Sequence, residues 1–175
     1  MACNSVTLNG INAKCDTSAG GIKRILIAQK DDVATINVDE TTGIIDEITM
    51  VSGKYFVQWL FRKNTGNYTT SLTSDVAIGT QAVTTDLNLQ FTKAEAVKRL
   101  EIQSAINASA VIIIEDMYGQ YILLGLDNDV TITAVNQQSG TAITDLNGYT
   151  LTFQDTSLEL PHFVDVSIIN SLLTA

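Results

Sequence analysis

From Val83 to Thr92 the chain alternates without a break: Val83, Thr85, Leu87, Leu89 and Phe91 share one side, and Thr84, Asp86, Asn88, Gln90 and Thr92 share the other. Successive side chains of a strand point to opposite faces, so this run reads as a strand with one dry and one polar face. A dry face has to be covered by another layer. Tyr149, Leu151 and Phe153, alternating with Thr150, Thr152 and Gln154, repeat the pattern after an Asn147-Gly148 turn.

Further strands are predicted over 22–28, 33–38, 44–51, 55–62 and 68–76, divided by the turn residues Gly43, Gly53 and Gly66. In the third of these, Ile44, Ile48 and Met50 are expected to share a face. In the fourth, Tyr55, Val57, Trp59 and Phe61 oppose Phe56, Gln58, Leu60 and Arg62. That aromatic bulk reads as a central core strand, with Trp59 a core residue.

The stretch from Phe91 to Val135 holds the one predicted helix. Thr92 precedes an apolar-periodic run and Glu95 follows three positions later, the capping-box spacing, so the helix is expected over about 92–107. Ala94, Val97, Leu100 and Ala105 then mark its buried stripe. Residues 110–114 and 121–126 are apolar runs around a turn at Glu115 to Gln120, which predicts a hairpin buried on both faces. Val130, Ile132 and Ala134 alternate with Thr131 and Thr133 as a half-buried strand, followed by a polar loop over 136–141. A last strand is expected over 158–166, with Pro161 at an edge. Ser167 to Ala175 is apolar for a terminus, so it returns to the core or docks on a neighbour.

The expected organisation is an N-terminal arm over 1–20, a β-sandwich domain with one helix over 21–166, and a C-terminal tail over 167–175. Hydrophobic residues at 45% and charged residues at 17% exclude a disordered chain. No apolar run approaches the roughly 20 residues that span a bilayer, and the start lacks a signal-peptide pattern. The expectation is therefore synthesis in the cytoplasm with no membrane partner. Cys3 and Cys15 lie close together, and a cytosolic product favours two free thiols over a bridge.

The distribution of charge says more than the net charge of -9. All 10 Lys and Arg lie at or before Arg99 beside ten of the acidic residues, whereas the chain beyond Arg99 carries nine acidic side chains and no Lys or Arg. Such a portion repels phosphate backbones, because affinity for nucleic acid comes mainly from Lys and Arg displacing counterions. It serves either solubility or a surface past which DNA slides without sticking.

Motifs for catalysis, nucleotide binding or a complete calcium loop are missing. Asp127-Asn128-Asp129 reads as a polar hairpin turn, Glu115-Asp116 as solvated carboxylates at a hairpin end, and His162 as a structural residue beside Pro161. A zinc site needs about four ligands and the single histidine stands far from both cysteines. No enzyme, cofactor, metal or small-molecule substrate is expected.

Several strings, taken in order, resemble a virion structural protein: Gly20-Gly21-Ile22-Lys23-Arg24; Ile44 to Met50 with Gly53-Lys54; Phe61-Arg62-Lys63-Asn64-Thr65-Gly66; Phe91-Thr92 through Lys98-Arg99; Glu115-Asp116 to Gly119; Gly125-Leu126-Asp127-Asn128; Thr141 to Tyr149; and Glu159-Leu160-Pro161. The resemblance is to tail-tube-like and tail ring proteins of phages infecting Bacteroidales, crAss-like phages among them. It spans about 20–165. It implies a mainly β, antiparallel β-sandwich or barrel with a flanking helix, assembled with itself into a cyclic ring in the virion tail. Adjacent tail or connector proteins would be its neighbours, and genomic DNA would pass through unbound. The alternatives are a head-to-tail connector or stopper, or a surface adhesin displaying the loop near Asn64. Asp127, Asp129 and Asp145 are the expected lumen-facing acids. Asn64, Asn67, Tyr68, Ile168, Ile169, Leu172 and Leu173 are the expected subunit or ring contacts.

Overall fold

The computed structural model describes residues 10–11, 19–75, 77 and 79–173. The expected arm, apart from Gly10, Ile11, Ala19 and Gly20, and the thiol state of Cys3 and Cys15 lie outside the described residues.

Among the described residues, eleven strands form two sheets. In chain order they are β1 (Ile22–Gln29), β2 (Val33–Val38), β3 (Ile44–Met50), β4 (Val57–Leu60), β5 (Gly66–Asp75), β6 (Thr80–Thr92), β7 (Ala110–Asp116), β8 (Tyr121–Leu124), β9 (Thr131–Gln138), β10 (Gly148–Ser157) and β11 (Phe163–Val164). The larger sheet runs β2-β3-β11-β8-β7-β1-β4 and the smaller β5-β6-β10-β9. Strand neighbours are antiparallel except β11 and β3. Among the described residues two α-helices, α1 (Ala96–Ile106) and α2 (Val166–Leu172), and a 3-10 turn at Lys30–Asp32 accompany the sheets. This is a mainly β sandwich with a flanking helix, and the barrel alternative is not realised.

The alternating strand takes the place its pattern demands. β6 and β10 pair from Thr92 opposite Gly148 to Val83 opposite Ser157. Their dry faces put Leu87, Leu89, Phe91, Tyr149, Leu151 and Phe153 into one core with Ile25, Ile27, Ile112 and Ile114 of the larger sheet. Each such side chain, fully buried, contributes about 1.5–3 kcal/mol. Only glycine permits the pairing at position 148, where a Cβ would stand 1.9 Å from the Phe91 carbonyl oxygen. The β7–β8 hairpin is buried on both faces as expected. Its other face builds a second core, in which Leu26, Val111, Ile113 and Leu123 meet Ile45 and Ile48 of β3 and Ile169 and Leu172 of α2. Because β3 belongs to the same sheet, the second core lies on that sheet's outer face, where α2 and Phe56 cover it.

Several expectations are corrected. Thr92 does not cap the helix: it ends β6, Lys93 turns the chain at φ 67°, and Glu95 is the N-cap without a side-chain capping bond. Glu95 instead pairs with Lys93 and Lys98. Sheet pairing with Gly148 thus outcompetes a local cap. The helix buries Ile102 and Ala105 and leaves Val97 and Leu100 exposed, because Ile102 is the residue that reaches the inter-sheet core. The helix end near Asn107 holds.

β4 is an edge strand rather than a central one, and of its predicted aromatic face Trp59 and Phe61 pack against the inter-sheet core while Tyr55 is exposed. In β3 the buried pair is Ile45 and Ile48, not Ile44 and Ile48, because a register shift against β2 between Asn37 and Val38 breaks the two-residue period. β9 continues to Gln138 through part of the expected loop, and only Ile132 of β9 is partly buried. The last strand shrinks to Phe163–Val164, with Pro161 outside it. The apolar terminus forms α2, whose N-cap Asp165 accepts a hydrogen bond from the Ser167 backbone N–H at 2.7 Å.

Candidate assembly surfaces

The segment linking β8 to β9 carries two of the predicted acids. Asp127-Asn128-Asp129 is not a hairpin turn, since β8 and β9 lie in different sheets, and the segment crosses between them. Gly125 makes the crossing possible at φ +90°, a conformation a side chain resists, with the Ala110 carbonyl only 2.9 Å from where a Cβ would stand. Lys30 pins the crossing by donating to the carbonyls of Gly125 and Leu126. Asp127 and Asp129 are exposed there, and Asn128 donates to the Thr156 carbonyl at 2.5 Å. Asp145 is also exposed but lies in the loop between β9 and β10, at the opposite end of the sandwich. Backbone N–H groups of Ala142 and Thr141 donate to its carboxylate and hold its pKa below the usual range. The structure brings Asp127 and Asp129 together and keeps Asp145 apart.

Beside the crossing, Asp155 of β10 is buried, with Oδ1 lacking a hydrogen-bond partner. Burial pushes its pKa up, and the nearby Asp127 adds to the effect. Glu115, read as solvated, is buried at the start of the β7–β8 turn, where Arg24 donates to it and Lys23 lies at 2.5 Å. Burial alone would raise its pKa, but these two hydrogen bonds outweigh it and hold the carboxyl low. The missed signal was Lys23-Arg24, which β1 lays directly against the end of β7.

Of the predicted contacts, Asn64 and Asn67 are exposed, the former with φ 64° in the β4–β5 turn. Tyr68 is half-buried and packs against the inter-sheet core. Ile169 and Leu172 are buried in the second core, and Ile168 and Leu173 pack against it, so α2 directs these apolar side chains inward. As subunit contacts Ile169 and Leu172 are corrected: the chain itself covers them.

The exposed apolar surface lies where the sequence placed core. Trp59, Leu60, Phe91, Val97 and Ile102 line an open groove of about 180 Å³ between β4 and α1, together with Gln58, Lys98 and Glu101. Trp59 and Phe91 meet edge to face at 5.7 Å and form its floor. Leu60, Phe91 and Lys98 continue into an adjoining pocket lined by Arg62. At the other end of the molecule, Leu158 and Leu160 are exposed on the link from β10 to β11. Among the described residues no group of three or more His, Cys, Asp or Glu is arranged to hold a metal ion, and no helix is long and apolar enough to cross a membrane.

No family model matches the chain, and no curated protein matches it. A chain from a solved structure titled "Virion of native gene transfer agent (GTA) particle" is similar at 8% identity and a TM-score of 0.37, over 79% of this chain and 99% of that one. That likeness is too slight to assign a class of protein.

Proposed function

We propose that this chain is a structural subunit of a phage-type virion, one member of a homo-oligomeric ring in the tail whose bore carries the genome. The observation that carries the reading is an edge-rich sandwich whose loops beyond Arg99 present exposed acids. β2 and β4 end one sheet and β5 and β9 the other, so among the described residues four strand edges have no strand on their outer side. Such edges are natural material for contacts between copies. The chain beyond Arg99 holds no Lys or Arg, and its exposed loop acids Asp127, Asp129 and Asp145 would repel passing DNA rather than bind it. The sequence strings resembling tail ring proteins point the same way.

A cyclic ring uses two different patches on each subunit, and neighbouring tail or connector proteins would stack on its faces. A connector or stopper would form the same kind of ring. The adhesin reading is weaker, since Tyr68, its one aromatic in the Asn64 loop, packs against the core.

Mass photometry and electron microscopy of the purified protein, alone and with neighbouring virion proteins, should show closed rings. A chain that stays monomeric in both conditions and is missing from purified virions overturns the reading. Asp127→Lys, Asp129→Lys and Asp145→Lys particles should assemble yet eject their genome more slowly. Normal ejection from particles carrying the variants removes the electrostatic role of these acids.

A further inference from the structure

We infer that the groove between β4 and α1 receives residues 157–161 of a second copy of this chain, a contact that rests on the ring reading and names its surface. Leu60, Val97 and Leu100 are 67%, 70% and 60% exposed along or beside the groove. Three large apolar side chains left in water around an aromatic floor mark a surface that is covered in use. Among the described residues β4 is the edge strand of its sheet, with no strand paired on its outer side.

The segment Ser157-Leu158-Glu159-Leu160-Pro161 has the complementary chemistry. Leu158 and Leu160 are 68% and 66% exposed, and they flank an exposed glutamate. The display is ordered in advance: Gln81 donates to the Leu158 carbonyl at 3.3 Å, and Ser157 Oγ donates to the Glu159 carbonyl at 2.7 Å. Ordering before contact lowers the entropic cost of docking.

Charge favours the same pairing. Arg62, beside the groove, has no ion-pair partner among the described residues. Glu159 has His162 at 3.5 Å, a pair that is ionic only when the imidazole is protonated. A carboxylate carried on a leucine-flanked segment therefore meets an available guanidinium at the rim. Glu101 lines the groove farther along α1, away from Arg62 in the adjoining pocket.

Geometry excludes docking within one copy. Phe91 and Thr92 end β6 at the groove, whereas Ser157 ends β10 opposite Val83. The two surfaces stand at opposite poles of this strand pair, about 30 Å apart at a strand rise of about 3.3 Å per residue. The contact therefore joins two different patches of two copies, and under the ring reading it is used head to tail, the arrangement that builds closed rings when its rotation closes.

The test is the assembly equilibrium of the full chain by mass photometry and sedimentation, with circular dichroism to confirm folding. Arg62→Glu and Glu159→Arg should each weaken assembly roughly tenfold or more, and the double variant should recover it. Leu160→Asp and Val97→Asp, both at exposed positions, should weaken assembly without loss of fold. Unchanged assembly in every single variant overturns this contact while leaving the ring reading intact. A wild-type chain that stays monomeric, alone and with neighbouring virion proteins, overturns both.

Discussion

Replacing Glu115 by Gln keeps the side-chain shape and removes one buried negative charge. Breaking a fully buried ion pair by deleting one partner costs about 3–5 kcal/mol, but this cluster is only partly dry. The Glu115 side chain is 3% exposed, while Arg24 is 19% and Lys23 60% exposed. Water replaces the carboxylate at Lys23 with little loss, since exposed pairs contribute about 0–1 kcal/mol. Arg24 keeps its hydrogen bonds to Gln58 and Tyr121. The expected loss is therefore about 2 kcal/mol, or about 4–8 °C in Tm for a chain of this size. The pH dependence follows from the direction of the shift. Burial raises the Glu115 pKa, the Lys23 and Arg24 hydrogen bonds lower it more, and the net value falls below that of the unfolded chain. Its contribution is then complete above the unfolded carboxylate pKa and disappears as pH falls through the lower folded value. Urea denaturation of wild type and Glu115→Gln, followed by circular dichroism over a pH series, should show a gap widest at neutral pH that closes in acid. A gap under about 0.5 kcal/mol at neutral pH, or one that stays constant into acid, refutes the reasoning.

Asp155 predicts the opposite sign. Burial raises its folded pKa, so the wild type loses stability as pH rises from the unfolded carboxylate pKa through the folded one. Asp155→Asn, which keeps an acceptor for the Gly125 N–H, should gain about 1 kcal/mol at neutral pH and nothing in acid; thermal melts showing destabilisation at neutral pH contradict this. Leu172→Ala should cost about 2–5 kcal/mol if α2 is part of the second core, against about 0.5 kcal/mol or less for Val166→Ala at an exposed position of the same helix. Similar small changes in urea midpoints for the two variants reject α2 as a core element.

The strands were legible wherever one rule governed a whole run. β6 and β10 read correctly because each buries one face along its length, so the two-residue period survives. β7 and β8 read correctly because both faces are covered and the run is apolar throughout. Legibility failed where a distant segment decided. Thr92 and Glu95 carry the spacing of a capping box, yet pairing between Thr92 and Gly148 extends the strand past the cap. The register shift in the β2–β3 pair moved the buried position from Ile44 to Ile45. Asp165 followed by Ile169 and Leu172 has the form of a helix start and stripe, but the apolar character of the terminus by itself left both the core and a neighbour open as its destination.

By itself the sequence determined the β class, the dry faces of β6 and β10, the buried hairpin and the acidic second part of the chain without Lys or Arg. These are local periodicities and counts, and no partner strand is needed to define them. Only the tertiary structure decided which apolar residues remain outside. Val97 and Leu100 lie on a helix whose inward face is set by where Ile102 meets the inter-sheet core, and Leu60 lies on a strand left at an edge. Likewise, only packing turned Glu115 from a turn carboxylate into a buried partner of Lys23 and Arg24, because residues 91 and 92 positions away in the chain meet there across two neighbouring strands. Exposure and ion pairing belong to the packed arrangement of elements, whereas alternation belongs to each strand alone.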